Sequence, residues 1–119
     1  MQVMAEQVAK YAEIKIRVGM NAAQMPVEME WSASDQPGAE AQPCKAMLLS
    51  LFDAKSKETL KIDLWTQEFQ VVEMDRFMYN TLRALADTYH KATQNAQLAA
   101  DMQRFVQYFG EKTEILPNT

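Results

Sequence analysis

The chain has 119 residues, of which 48% are apolar and 24% charged, and carries a formal net charge of −4 at pH 7. This is ordinary for one globular domain and far from a disordered composition. The acidic balance speaks against nucleic acid as a partner, because neutralising phosphates calls for a stripe of Lys and Arg, and it disfavours anionic lipid surfaces.

The N-terminal stretch Met1-Gln2-Val3-Met4 lacks a basic start and an apolar run, so no secretory leader is expected. No apolar stretch approaches the ~20 residues that span a bilayer, so no direct membrane insertion is expected either. The single cysteine, Cys44, permits no internal disulfide. That agrees with a reducing compartment, and the cytoplasm is the expected location.

Residues 1–11 show a loose helical pattern through Val3, Met4 and Val8 without a cap, and read as a tail or appendage to a single domain over residues 12–116. From Ala12 the period becomes two. Ile14, Ile16 and Val18 alternate with Glu13, Lys15 and Arg17, as in a half-buried strand. Residues 19–26 contain Gly, Asn and Pro and predict an irregular return. Val27, Met29 and Trp31 alternate with Glu28 and Glu30 in a second strand. The polar stretch 32–43, with Asp35, Gln36, Pro37 and Gly38 at its centre, is the longest predicted connection. Residues 46–52 form an apolar run without alternation, read as a third strand. After the polar turn 53–58, Leu60, Ile62 and Leu64 alternate with Lys61, Asp63 and Trp65. These two strands predict a hairpin, although the turn lacks Asn-Gly or Asp-Gly.

Past Thr66 the period becomes 3.6. Met74, Phe77, Met78, Leu82, Leu85 and Tyr89 form one helical stripe, with Glu73 and Asp75 in its first turn and His90 and Lys91 in its last. Thr93-Gln94-Asn95 is a short linker, and Asn95 is a candidate N-cap for a helix carrying Leu98, Met102, Phe105, Val106 and Phe109. Gly110 is expected to fray the last turn of that helix, and Pro117 lies beyond its end. The order predicts an α+β fold: a four-stranded antiparallel sheet with a C-terminal antiparallel helical hairpin packed on one face, formed by Ile14, Ile16, Val27, Met29, Leu60 and Ile62.

One strand breaks the pattern. Three strands have a charged outer face, yet the third is apolar on both, so Met47, Leu49 and Leu51 need cover if Leu48 and Phe52 face the helices, or the reverse. A central strand screened by neighbours and a subunit interface through the outer sheet face both answer this, and the sequence leaves them open.

His90 is the only histidine. A Cys44-His90-Asp87 nucleophile system can be drawn, but a histidine at a helix C-terminus and an Asp87–Lys91 pair are ordinary helix features. One His and one Cys cannot build the usual zinc ligand sets, and no twelve-residue calcium loop occurs. Glu28 and Glu30 share a strand face, where solvation explains them better than paired catalysis. No glycine-rich phosphate loop is present. No catalytic, metal or cofactor residue is therefore expected. The nine methionines read as core filler before they read as a binding groove.

Thr59-Leu60-Lys61-Ile62-Asp63-Leu64-Trp65-Thr66 resembles the hairpin strand of the gliding-motility GldC family. Glu30-Trp31-Ser32-Ala33, the Leu-Ser-x-aromatic-Asp pattern within residues 47–53, and Ala86-Asp87-Thr88-Tyr89 with Ala92-Thr93 add to the likeness. So do Ala100-Asp101-Met102, Phe105, Tyr108-Phe109 and Glu111-Lys112. Together these span roughly residues 12–115, with Phe52 and Gly110 as departures. The resemblance implies a cytoplasmic, non-enzymatic accessory protein of Bacteroidetes-type gliding bacteria, without cofactor, that meets protein partners of the gliding and envelope secretion machinery. Homo-oligomerisation is a further expectation. The candidate contact residues are Trp31, Met47, Leu49, Leu51, Asp53, Asp63 and Trp65. The alternative is a chaperone similar in layout to SecB, an architectural analogy. Such a chaperone needs long apolar grooves, whereas Lys15, Arg17, Glu28, Glu30 and Lys61 charge most of the predicted outer face.

Overall fold

The computed structural model describes residues 6–35 and 40–117. The N-terminal helical pattern through Val3 and Met4 and the loop centre at Gln36, Pro37 and Gly38 lie outside the described residues. The chain divides into two compact units, one ending at Phe69 and the other beginning at Gln70.

The first unit holds β1 (Ile14–Met20), β2 (Pro26–Ala33), β3 (Gln42–Cys44), β4 (Ala46–Phe52) and β5 (Thr59–Trp65). All pairings are antiparallel, in a three-stranded sheet β1-β2-β3 and a two-stranded sheet β4-β5. The fold is α+β as predicted, but the single four-stranded sheet is not formed. The reason lies at Lys45, where the chain bends between β3 and β4. Ahead of the bend, Cys44, Pro43 and Gln42 pair with Met29, Glu30 and Trp31 of β2; behind it, Ala46 pairs with Trp65 of β5. Backbone bonds from Thr66 N–H to Lys45 C=O (2.9 Å) and from Gln67 N–H to Pro26 C=O (3.3 Å) tie the end of β5 to the break and to the start of β2. β3 falls in the stretch read as a polar loop. Gln and Pro carry no strand signal, and these residues are strand because β2 pairs with them.

The β1–β2 register sets Ile14, Ile16 and Val18 opposite Ala33, Trp31 and Met29, so one face is apolar. The other face sets Lys15 opposite Ser32 and Arg17 opposite Glu30, the latter joined by a 2.8 Å hydrogen bond from Arg17 Nη1 to Glu30 Oε1. Met29 is the apolar residue of this unit that is fully enclosed, at 2% exposure. In the turn, Asn21 Oδ1 accepts from Ala23 N–H (2.9 Å) and Met25 N–H (3.0 Å), and Gln24 takes φ 61°. Ahead of β1, Glu13 N–H donates to Ser34 Oγ and Ser34 N–H to Glu13 C=O, both at 2.9 Å, and Lys10 approaches Asp35 at 3.7 Å. The Glu13–Ser34 bonds continue the pairing one position beyond Ile14 and Ala33.

The second unit is a hairpin of α1 (Val71–Thr93) and α2 (Ala96–Lys112). Gln70 N–H donates to Glu73 Oε1 at 3.0 Å, which fixes the first turn of α1. α1 closes at Gln94, whose φ of 58° and bond to His90 C=O form a left-handed cap without glycine. Asn95 then caps α2 as the sequence predicts, its Oδ1 accepting from Leu98 N–H at 3.0 Å. The buried residues of the two helices are mostly small: Ala86 in α1, and Ala99, Val106 and Gly110 in α2. Gly110 does not fray. A β-carbon there would lie 2.7 Å from a Tyr79 ring carbon and 2.6 Å from a Leu116 methyl. The glycine thus permits close approach of α2 to Tyr79 near the opposite end of α1, which makes the helices antiparallel. Leu116 N–H returns to Gly110 C=O at 3.0 Å and seals that end.

Candidate protein-contact surface

The β4–β5 register decides how the candidate residues are grouped. Directly opposed residues share a face. Met47, Leu49 and Leu51 of β4 stand opposite Leu64, Ile62 and Leu60 of β5, so one face of this sheet is wholly aliphatic. Those three leucine-type partners were not among the contact candidates, and the alternation in residues 60–64 is the signal that points to them once the register is known. The register also puts Met47, Leu49 and Leu51 on the same face as Leu60 and Ile62, the residues that the sequence assigns to the inner side.

The other face is mixed. Ala46, Leu48, Ser50 and Phe52 stand opposite Trp65, Asp63, Lys61 and Thr59. Phe52 is 69% and Trp65 50% exposed, and between them Lys61 Nζ bonds Asp63 Oδ2 at 2.9 Å. That contact holds the Asp63 carboxyl below its ordinary value, first through the hydrogen bond and then through the charge of Lys61. Aromatic anchors are enriched in protein contact surfaces, whereas Lys and Asp belong to their polar rims.

The remaining candidates lie elsewhere. Trp31 is half-buried in the other sheet, opposite Ile16 on one side and Gln42 on the other. Asp53 is taken up by its own turn: its Oδ2 accepts from Ser56 N–H (2.8 Å) and Lys55 N–H (3.0 Å). These bonds, that of the Ser56 backbone first, lower its pKa. Asp53 N–H to Glu58 C=O (2.8 Å) and Lys57 at φ 65° complete the loop. An Asp followed by Ser three residues on is the turn signal that an Asn-Gly search overlooks.

Cys44 is a half-buried β3 residue opposite Met29, whereas Asp87 and His90 stand on α1 of the second unit. Asp87 lines an open polar groove of about 300 Å³ with Tyr79, Arg83, Gln103, Val106 and Gln107. Among the described residues no three His, Cys, Asp or Glu side chains come together as a metal site. No helix among them is long and apolar enough to cross a membrane.

No curated protein and no solved structure matches the chain. A match to the family described as gliding motility-associated protein GldC-like covers residues 26–115, from the start of β2 through both helices. The chain therefore belongs to the GldC-like family of gliding motility-associated proteins.

Proposed function

We propose that the protein is a non-enzymatic, cytoplasmic accessory of the gliding-motility and envelope-secretion machinery, acting through protein–protein contacts that include self-association. Residues 12–116 carry this role and residues 1–11 are an appendage to it. The observation that carries the reading is the β4–β5 hairpin, which presents Phe52 and Trp65 around the Lys61–Asp63 pair on one face and six aliphatic side chains on the other. Such a surface supplies association energy and orientation, not a nucleophile or a base.

The aliphatic face also supports the second reading, a chaperone that binds extended apolar segments of export precursors. Affinity capture of the tagged full chain from its own cells, read by mass spectrometry, separates the two. One or two envelope gliding components are expected. Many unrelated export precursors would replace the accessory reading with the chaperone.

A further inference from the structure

β5 is a strand whose outer edge is open: among the described residues its only ladder is with β4. Its sequence, Thr59-Leu60-Lys61-Ile62-Asp63-Leu64-Trp65, is nearly palindromic about Ile62. Leu60 mirrors Leu64, and Lys61 mirrors a residue of opposite charge, Asp63. We propose that this edge pairs antiparallel with β5 of a second copy, about a two-fold axis at Ile62. The proposal deepens the accessory reading and rests on the self-association in it, naming the edge and the register.

Three observations agree on that register. The first is charge. Antiparallel pairing centred on Ile62 puts Lys61 of each copy opposite Asp63 of the other, two complementary pairs from one strand. Both side chains are exposed enough to exchange their present partner for the cross-strand one, at 59% for Lys61 and 46% for Asp63.

The second is backbone parity. Asp53 N–H to Glu58 C=O and Thr66 N–H to Lys45 C=O bracket the β4–β5 ladder. They show that even-numbered residues of β5 turn their N–H and C=O groups toward β4. Thr59, Lys61, Asp63 and Trp65 therefore turn theirs outward. In the proposed register these four meet one another, Thr59 with Trp65 and Lys61 with Asp63, and none is a proline, so every outward donor finds an acceptor.

The third is the face. A two-fold axis perpendicular to a sheet keeps each face on its own side. Leu60 of one copy then meets Leu64 of the other, and Ile62 meets Ile62, which extends the aliphatic face across four strands. A lone two-stranded ribbon is marginal in water, and four strands with a continuous apolar face are not.

The competing edges lack this complementarity: β4, whose ladder among the described residues is likewise with β5 alone, carries no charged residue, and β1 carries like charges. Centred on Ile16, β1 would set Lys15 against Arg17 of the copy, and its register is interrupted between Gly19 and Met20.

The test is light scattering and sedimentation on the full chain, with circular dichroism to confirm folding. Wild type is expected at twice the chain mass. Asp63→Lys, with two lysines on the edge, and Lys61→Asp, with two aspartates, should each raise the dimer dissociation constant by about a hundredfold and run as monomers. Mixing the two variants should restore a dimer containing one of each, because every lysine then faces an aspartate. A monomeric wild type overturns the proposal. So do single variants that remain dimeric, or monomeric variants that fail to pair when mixed. A monomeric wild type would remove self-association from the accessory reading as well, whereas dimeric charge variants would remove this edge alone; the accessory role itself is decided by the affinity capture.

Discussion

The two β-hairpins of the N-terminal unit are built on the same plan and finished differently. Both close through a short acid or amide side chain that accepts two backbone N–H groups, Asn21 in the first and Asp53 in the second. Both then place a non-glycine residue in the left-handed region, Gln24 at φ 61° and Lys57 at φ 65°. From there they diverge. β1–β2 has one apolar face and one charged face, whereas β4–β5 has an aliphatic face and a mixed one. Their outer edges carry like charges in β1 and opposite charges in β5. The turn sets up a hairpin; the face and the edge decide whether it ends at water or at another protein.

A charge on the aliphatic face should separate the two hairpins most. Leu49→Glu places a carboxylate opposite Ile62. It should cost about 2 kcal/mol in chemical denaturation. The same charge at Lys15→Glu, on the exposed face opposite Ser32, should change stability by no more than about 0.5 kcal/mol. Equal losses at the two sites would mean that the faces do not differ in how they are covered.

Lys15→Glu also probes the β1 edge. It converts the β1 edge from like to opposite charge about Ile16, so that residue 15 of one copy would meet Arg17 of another. Sedimentation at high concentration should then show species heavier than those of wild type, a smaller change than the loss at β5 because the bulge at Gly19 and Met20 shortens the usable edge. An unchanged distribution would show that edge charge is not what keeps β1 unpaired.

What the sequence disclosed follows the same division between local and distant causes. The alternation in residues 14–18, 27–31 and 60–64 and the helical stripe from Met74 to Tyr89 are local patterns, and each appears as the element expected. Asn95 as a cap is local too. β3 was invisible because its strand character comes from β2, and the split at Lys45 because no residue type there marks it. Gly110 read as a weak helix end, whereas its lack of a side chain serves Tyr79, thirty-one positions earlier in the chain. For the candidate surface, the register in which the two strands pair was not legible. Alternation alone puts Met47, Leu49 and Leu51 on one face; only the register tells that Leu60, Ile62 and Leu64 share it while Asp63 and Trp65 stand on the reverse.

The smallest expected effect separates the two turns by pH. The Asp53 carboxyl is held below its ordinary 3.8, chiefly by the Ser56 N–H, so the folded state favours the ionised form. A depressed folded pKa contributes stability that is fully present above the unfolded value and disappears as pH falls through the folded one. The β4–β5 turn should therefore weaken on acidification below 3.8, while Asn21 performs the same duty with a neutral amide that does not titrate. Asp63, lowered in the same direction by Lys61, adds to the acid loss and remains in every variant of the turn. Asp53→Asn should consequently reduce, without abolishing, the fall in Tm between about pH 5 and pH 2. Asn21→Asp should enlarge it, because the new carboxylate would accept the Ala23 and Met25 N–H groups in its ionised form. If neither substitution moves the acid limb, the acid sensitivity of this unit lies outside the two turns, in ion pairs such as Lys61–Asp63.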